Sequence, residues 1–224
     1  MNKNDTKKTY IIAEMACSHD GSLDNAKSII DAAASAGADA IQLQIWEHQN
    51  LVVPTHKDLA ILKSVELTKF EWRELVNYTR RVSPNLDIIA CVYDNYAADF
   101  AVELNMDAYK IHTADLSNFE LLRKISSFGR RIDLSVGSST YDEIAAALDF
   151  INKSSPVEIW LMYGKQLFPT DPTDADINQA VNLGRAFNLT VGYQDHTNAD
   201  SEEALLIPIL ALGAEPSIAI YSSF

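Results

Sequence analysis

The sequence predicts a (β/α)8 barrel of the TIM type, and three observations carry the prediction. Short apolar runs alternate with stretches of helical periodicity, about eight of the first with about seven of the second between them. The runs are short and apolar throughout, as expected of parallel strands buried on both faces and joined by helical crossovers. All 5 histidines and both of the 2 cysteines fall at or just past the end of such a run. In a barrel the loops that follow the strands carry the chemistry. A doubly wound open sheet is the competing architecture, but no Gly-x-Gly-x-x-Gly follows any strand.

The elements read in order as follows. Tyr10 to Ala13 is the first strand. Ser22 caps a helix to Ala36 that carries Ala26, Ile29, Ile30 and Ala33 on one face, and Gly37 stops it. Ala40 to Gln44 is the second strand, followed by His48 and His56. Thr68 and Glu71 form a capping box that opens a helix to about Val82, and Ser83-Pro84 ends it. Leu86 to Val92 is the third strand, and its helix carries Ala98, Phe100, Ala101 and Leu104. Ala108 to His112 is the fourth strand, with a capping box at Ser117 and Glu120. Arg131 to Val136 is the fifth, with a box at Thr140 and Glu143, and Val157 to Tyr163 is the sixth. A helix spans about Asp174 to Phe187, and Leu189 to Tyr193 is the seventh strand. The last helix runs from about Ser201 to Leu212, before an eighth strand at Ser217 to Tyr221. There is no linker or low-complexity stretch, so residues 1–224 read as a single barrel domain. No helix follows the eighth strand. The expectation is an apolar outer surface near strands one and eight, covered by a partner subunit in a homo-oligomer, by the N-terminal arm or by a further domain.

Composition narrows the partners. With 47% hydrophobic and 22% charged residues the chain has ample core material. A net charge of −13 argues against nucleic acid and against an anionic membrane surface. It leaves room for a small anionic substrate held by a few local donors. No run is long enough to span a bilayer, and Met1 to Lys8 lacks the apolar stretch of a signal peptide. Two cysteines make no disulfide framework, so a reducing cytoplasm is the expected location.

Several polar residues stand out against their apolar surroundings. Lys110 lies in an apolar strand, where an ammonium must meet a carboxylate, face a ligand anion, or lose its proton and become an imine-forming amine. Glu14 ends the first strand and could orient a hydroxyl, act as a base or neutralise Lys110. Gln42 and Gln44 share one side of their strand, suited to hydroxyl or carbonyl recognition or to a polar barrel layer. His196 opens the loop after strand seven beside Asp195 and is placed to hold a metal, shuttle protons or bond Asp195. Ser135, Ser138, Ser139 and Thr140 are phosphate-cradle or helix-cap residues, and Trp46 is a sugar-stacking or packing residue.

The stretch Ile11-Ile12-Ala13-Glu14-Met15-Ala16-Cys17-Ser18-His19-Asp20-Gly21-Ser22 resembles IAEIGxNHxGS, the opening motif of the sialic acid synthase family, the phosphoenolpyruvate-dependent nonulosonate synthases. Further motifs follow in the same order. Gly37 to Gln44 is similar to GADAVKFQ, Tyr109 to Leu116 to YKIASGDL, and Ser135 to Gly137 to the STG turn. Phe168-Pro169-Thr170 resembles YPT, and Gly192 to Thr197 resembles GYSDHT. The resemblance implies a (β/α) barrel, in the family usually followed by a small antifreeze-like domain absent from this sequence. It implies carbon–carbon bond formation between phosphoenolpyruvate and an N-acylated sugar aldehyde, assisted by Mn, Mg or Co. The implied catalytic residues are Glu14, Lys110 and His196. Gln42, Gln44, Lys110, Ser135, Tyr193 and Asp195 are implied to bind substrate, and His196 to bind metal.

The departures fall on chemistry. Gln42 stands where the family has a lysine that helps hold phosphoenolpyruvate, and Tyr163 aligns with the second metal-binding histidine. Cys91 replaces a threonine, and Ala219-Ile220-Tyr221 occupies about the place of a Glu-Lys-His cluster. Glu14, His19, His112 and Tyr163 are the candidates to join His196 in a metal site, which needs several ligands. The sequence therefore predicts weak metal retention. Two further readings stand beside the synthase: a metal-independent keto-acid lyase that uses Lys110, and a degenerate barrel that binds a ligand or partners an intact synthase.

Overall fold

The structure, a computed structural model, describes residues 9–214 and 219–223. Eight parallel strands close into a barrel in sequence order, β8 pairing with both β7 and β1. They are β1 (Ile11–Glu14), β2 (Ala40–Ile45), β3 (Asp87–Val92), β4 (Ala108–Ile111), β5 (Arg131–Ser135), β6 (Ile159–Tyr163), β7 (Thr190–Asp195) and β8 (Ala219–Ser223). The helices around them are α1 (Leu23–Ala36), α2 (His48–Leu51), α3 (Leu59–Val65), α4 (Lys69–Val82), α5 (Asn95–Glu103), α6 (Phe119–Ser126), α7 (Tyr141–Ser154), α8 (Ile177–Phe187) and α9 (Glu203–Ala214). None is long and apolar enough to cross a membrane.

Strand alternation sorts the side chains into two sets. Ile41, Leu43, Ile88, Ala90, Ile111, Leu134, Leu161 and Val191 point outward and pack with Ile30, Leu75, Phe100, Leu122 and Ile144 of the helices. Ile12, Ala40, Ile89, Ala108 and Met162 form a separate cluster that fills the barrel itself, with Tyr10 and Trp160 against it. Among the described residues this inner layer fills the lower barrel interior, and the C-terminal ends of the strands are where a barrel builds its site.

Local sequence explains most element ends. Ser22 accepts from the Asn25 N–H at 3.2 Å, and Gly37 ends α1 at φ +83°, a conformation that favours glycine. Thr68 and Thr140 make complete capping boxes with Glu71 and Glu143. The expected box at Ser117 is not made. Asn118, an equally good cap, accepts from the Leu121 N–H at 3.2 Å and starts the helix one residue later. The helix expected from Asp174 starts at Ile177, because Pro172–Asp174 form a 3-10 turn and Asp176 is the cap. β7 runs two residues further than expected, to Asp195. Of the expected eighth strand, Ser217 and Ile218 lie outside the described residues. α9 presents Leu205, Leu206, Ile209 and Leu210 to the surface, an apolar face just before β8.

Two glycines bring the loops over the mouth together. A Cβ on Gly164 would lie 2.1 Å from the Gln194 carbonyl oxygen, and one on Gly137 would lie 1.9 Å from that of Gly164. Both obstacles are backbone. Gly164→Ala should therefore cost about 3 kcal/mol, the upper end for an overpacked site. Gly37→Ala, with open space but positive φ, should cost about 1–2 kcal/mol. Urea midpoints of the two variants give the comparison, and equal losses would refute the close approach.

Candidate active site

The C-terminal mouth holds a cavity of about 190 Å³ lined by Glu14, Ala16, Gln42, Gln44, Cys91, Lys110, His112, Gln166, Phe168, Gln194 and His196. The strand register accounts for much of this. Glu14 stands beside Gln42, Gln44 beside Cys91, Cys91 beside Lys110, and Lys110 beside Asp133. Glu14, Gln42, Gln44 and Lys110 from three strands thus come together with His196 from the loop after β7.

Glu14 is buried; one carboxylate oxygen accepts from the Ala16 N–H at 3.0 Å and the other from the Gln42 amide. That bond turns the Gln42 Oε1 into the interior, where no described residue donates to it. Lys110 is 2% exposed. Burial pushes its pKa down, and the neighbouring Cys91, Glu14 and Asp133 oppose that shift. Beside it on β5, Asp133 is fully buried and is gripped by Arg131 at 2.8 and 3.2 Å. The Arg131 guanidinium lies 3.8 Å from the Trp160 ring centroid and 4.9 Å from that of Tyr10. Arg131 and Asp133 on β5 and Lys110 on β4 therefore form a run of alternating charge inside the barrel.

The two histidines at the mouth are held differently. The His196 Nδ1–H donates to the Lys165 carbonyl at 2.8 Å, while the His112 Nδ1 accepts from the Ala114 N–H at 3.2 Å. Burial first, and Lys110 after it, holds both imidazoles below their ordinary pKa. Burial also pushes the Cys91 thiol up to about 12, so it stays protonated and is no nucleophile at neutral pH. Lys110 is the one strong cation of the described lining.

Other expected site residues lie elsewhere, and alternation explains most of them. Tyr193 faces the helices, its hydroxyl donating to the Ala175 carbonyl at 2.7 Å. Asp195 is turned the same way and accepts from the Thr197 N–H and hydroxyl. Gln194, between them, is the residue that enters the cavity; stepping back two positions from His196 identifies it. Ser135 does not line the cavity. It donates to the Gln194 Oε1 at 2.8 Å and accepts from Thr113 at 2.9 Å, so it positions the amide. Tyr163, aligned with a metal-binding histidine, packs in the outer core, and burial pushes its phenol up to about 12. Ser138 and Ser139 line a different depression with Thr113, Ser117 and Phe119, while Thr140 caps α7. Trp46 is buried beside Trp72 and Phe100, in packing rather than at the mouth.

The remaining histidines also stay out of the cavity. His19 accepts from the Gly21 N–H and lies edge-on to Trp72, His48 pairs with Glu66, and His56 is exposed. Among the described residues no cluster of three or more His, Cys, Asp or Glu is arranged to hold a metal ion. Gln166 and Phe168 come from the loop after β6; Gln166 carries no motif signal, and Phe168 entered the sequence reading only as part of the Phe168-Pro169-Thr170 motif, without a site role. The Phe168 ring lies 4.4 Å from that of His196.

Comparison with known proteins agrees with this architecture. The NeuB family pattern matches residues 29–216. An uncharacterized protein of Methanocaldococcus jannaschii is 31% identical over 209 residues, covering 92% of this chain and 60% of that protein. The N,N'-diacetyllegionaminic acid synthase of Campylobacter jejuni is 28% identical over 224 residues, covering 93% and 66%. The chain thus spans less than two thirds of the length of these relatives. The crystal structure of an N-acetylneuraminic acid synthetase from Leptospira borgpetersenii, in complex with citrate, superposes with a TM-score of 0.88 at 26% identity. It covers 98% of this chain and 74% of that one. Barrel, motif order and family match coincide: the chain belongs to the NeuB family.

Proposed function

We propose that the barrel mouth joins phosphoenolpyruvate to a sugar-like aldehyde bearing an N-acyl group, with loss of phosphate. The observation that carries this reading is Lys110, a buried ammonium opening onto a cavity that also contains Glu14, Gln44 and His196. Lys110 holds the carboxylate or phosphate of the acid, where low dielectric makes one cation effective. Gln194, steadied by Ser135 at its Oε1, offers its amide N–H to the same anion, and the Gln42 Oε1 accepts from a substrate hydroxyl. Glu14 and Gln44 contact sugar hydroxyls. His196 keeps Nδ1–H on Lys165, which leaves Nε2 as the acceptor for a proton.

Relatives of this kind use a divalent metal, but the donors in this cavity do not fit one. His196 is available, Glu14 is already bonded to Gln42 and Ala16, and Tyr163 points away. No step is therefore routed through a metal. The expected result is that the purified protein, after dialysis, carries well under one equivalent of Mn, Mg or Co. Tyr163→His should leave that unchanged, because the new ring would also face the helices. Elemental analysis checks both, and stoichiometric metal in either protein would contradict the side-chain placement.

The burial-lowered pKa of Lys110 favours a second reading, in which its neutral amine forms an imine with a keto acid. One experiment separates the two. The protein is incubated with phosphoenolpyruvate and N-acetylmannosamine, and with related N-acylated aldoses, while phosphate release and 2-oxo acid product are followed. A parallel sample receives pyruvate and borohydride. Product with phosphate supports the synthase, and a reduced adduct on Lys110 supports the lyase. Neither outcome would remove both.

A further inference from the structure

We propose that His112 donates the hydrogen bond that polarises the aldehyde oxygen, forming with His196 a donor–acceptor pair across the cavity mouth. This rests on the synthase reading above and deepens it.

The argument starts from the two Nδ1 atoms. A neutral imidazole has one N–H and one bare nitrogen, so fixing the role of Nδ1 fixes that of Nε2. His112 spends its bare Nδ1 on the Ala114 N–H, capping the turn Thr113–Asp115. Its proton is then on Nε2. His196 spends its Nδ1–H on the Lys165 carbonyl, so its Nε2 is bare. Both rings line the same cavity with Lys110. One therefore offers a donor and the other an acceptor, each oriented by a backbone group. In the YKIASGDL motif that this segment resembles, the position of His112 is an alanine, so the donor is a feature of this chain. It enters a cavity whose described residues make no competent metal site, which is where another electrophile is needed. A neutral imidazole can polarise a carbonyl in this way.

The step balances. The enol π bond of phosphoenolpyruvate attacks the aldehyde carbon through C3, and the carbonyl π pair moves to oxygen against the His112 Nε2–H. Water adds to C2; one of its protons goes to the His196 Nε2 and from there to the new alkoxide. The C2–O bond to phosphate then breaks, the C2 carbonyl forms, and the remaining water proton leaves with phosphate.

Long-range 15N–1H spectra of the full chain, labelled in histidine, read the tautomers without any substrate. The expected result is Nε2–H at His112 and Nδ1–H at His196. In turnover with phosphoenolpyruvate and N-acetylmannosamine, His112→Ala should lower kcat by about 100-fold, as for loss of an oxyanion donor. The KM for phosphoenolpyruvate should change little, and His112→Gln, which keeps an N–H, should recover part of the loss. An Nδ1–H tautomer at His112, or full kcat in His112→Ala, would overturn the proposal. Correct tautomers in an unmodified protein that makes no product would instead sink the reading of the reaction, and with it the electrophilic role.

Discussion

Lys110→Met should abolish anion binding to this protein. Calorimetric titration of the unmodified chain with phosphoenolpyruvate, pyruvate, phosphate and sulfate is expected to show heat from at least one, despite the net charge of −13. Removing the cation from a desolvated charge pair costs about 2–5 kcal/mol, so affinity should fall by about 30-fold or more. The fold should survive, because Asp133 keeps its bidentate partner Arg131 when Lys110 is gone. Two results would contradict this: equal affinity in the variant, or no heat from any anion with the unmodified protein folded. The second would mean that Lys110 serves only the internal charges of Glu14 and Asp133.

The largest effect on stability is expected lower in the barrel. Arg131→Leu strands the fully buried Asp133, and breaking such a pair costs about 3–5 kcal/mol. The sign with pH follows from the carboxyl. Burial raises the pKa of Asp133 and Arg131 is the main group that lowers it, so the variant has a folded-state pKa higher still. A raised carboxyl pKa penalises the folded state once the unfolded chain ionises. The deficit should therefore be full at neutral pH and shrink as pH falls toward the ordinary aspartate range, about 3.9. Arg131→Leu combined with Asp133→Leu should recover most of the loss, since an apolar pair of similar volume replaces an ion pair at little cost. Urea unfolding at two pH values checks each part. A single variant as stable as the parent would show that the Tyr10–Arg131–Trp160 stack does not enclose the pair.

The sequence was most legible where one local rule decides. Ser22, Thr68 and Thr140 cap helices as their spacing requires, and the apolar runs became the strands. Lys110, Glu14 and His196 were visible because a charged or titratable side chain at an apolar strand is costly unless it has work or a partner. Errors arose where alternation was not carried to the end of a strand. Taking Gly192 to Thr197 as a block brought in Tyr193 and Asp195, although only Gln194 and His196 share the inward side. The same parity sends Tyr163 outward despite its alignment with a histidine. Asp133 gave no separate signal, since its importance comes from Lys110 on the neighbouring strand and Arg131 two residues back. α2 and α3 were not foreseen because, at 4 and 7 residues, they are too short for a helical period to declare itself.

The central claim is that a small acid sits on Lys110 in the C-terminal mouth, within reach of Glu14, Gln44 and the two histidines. A crystal structure of the protein soaked in phosphoenolpyruvate tests this most directly. The account predicts density for the ligand inside the barrel mouth, with its carboxylate or phosphate on the Lys110 Nζ and its reacting carbon toward His112 and His196. Ligand bound elsewhere, or an empty mouth beside a Lys110 turned wholly onto Glu14 at saturating concentration, would contradict it.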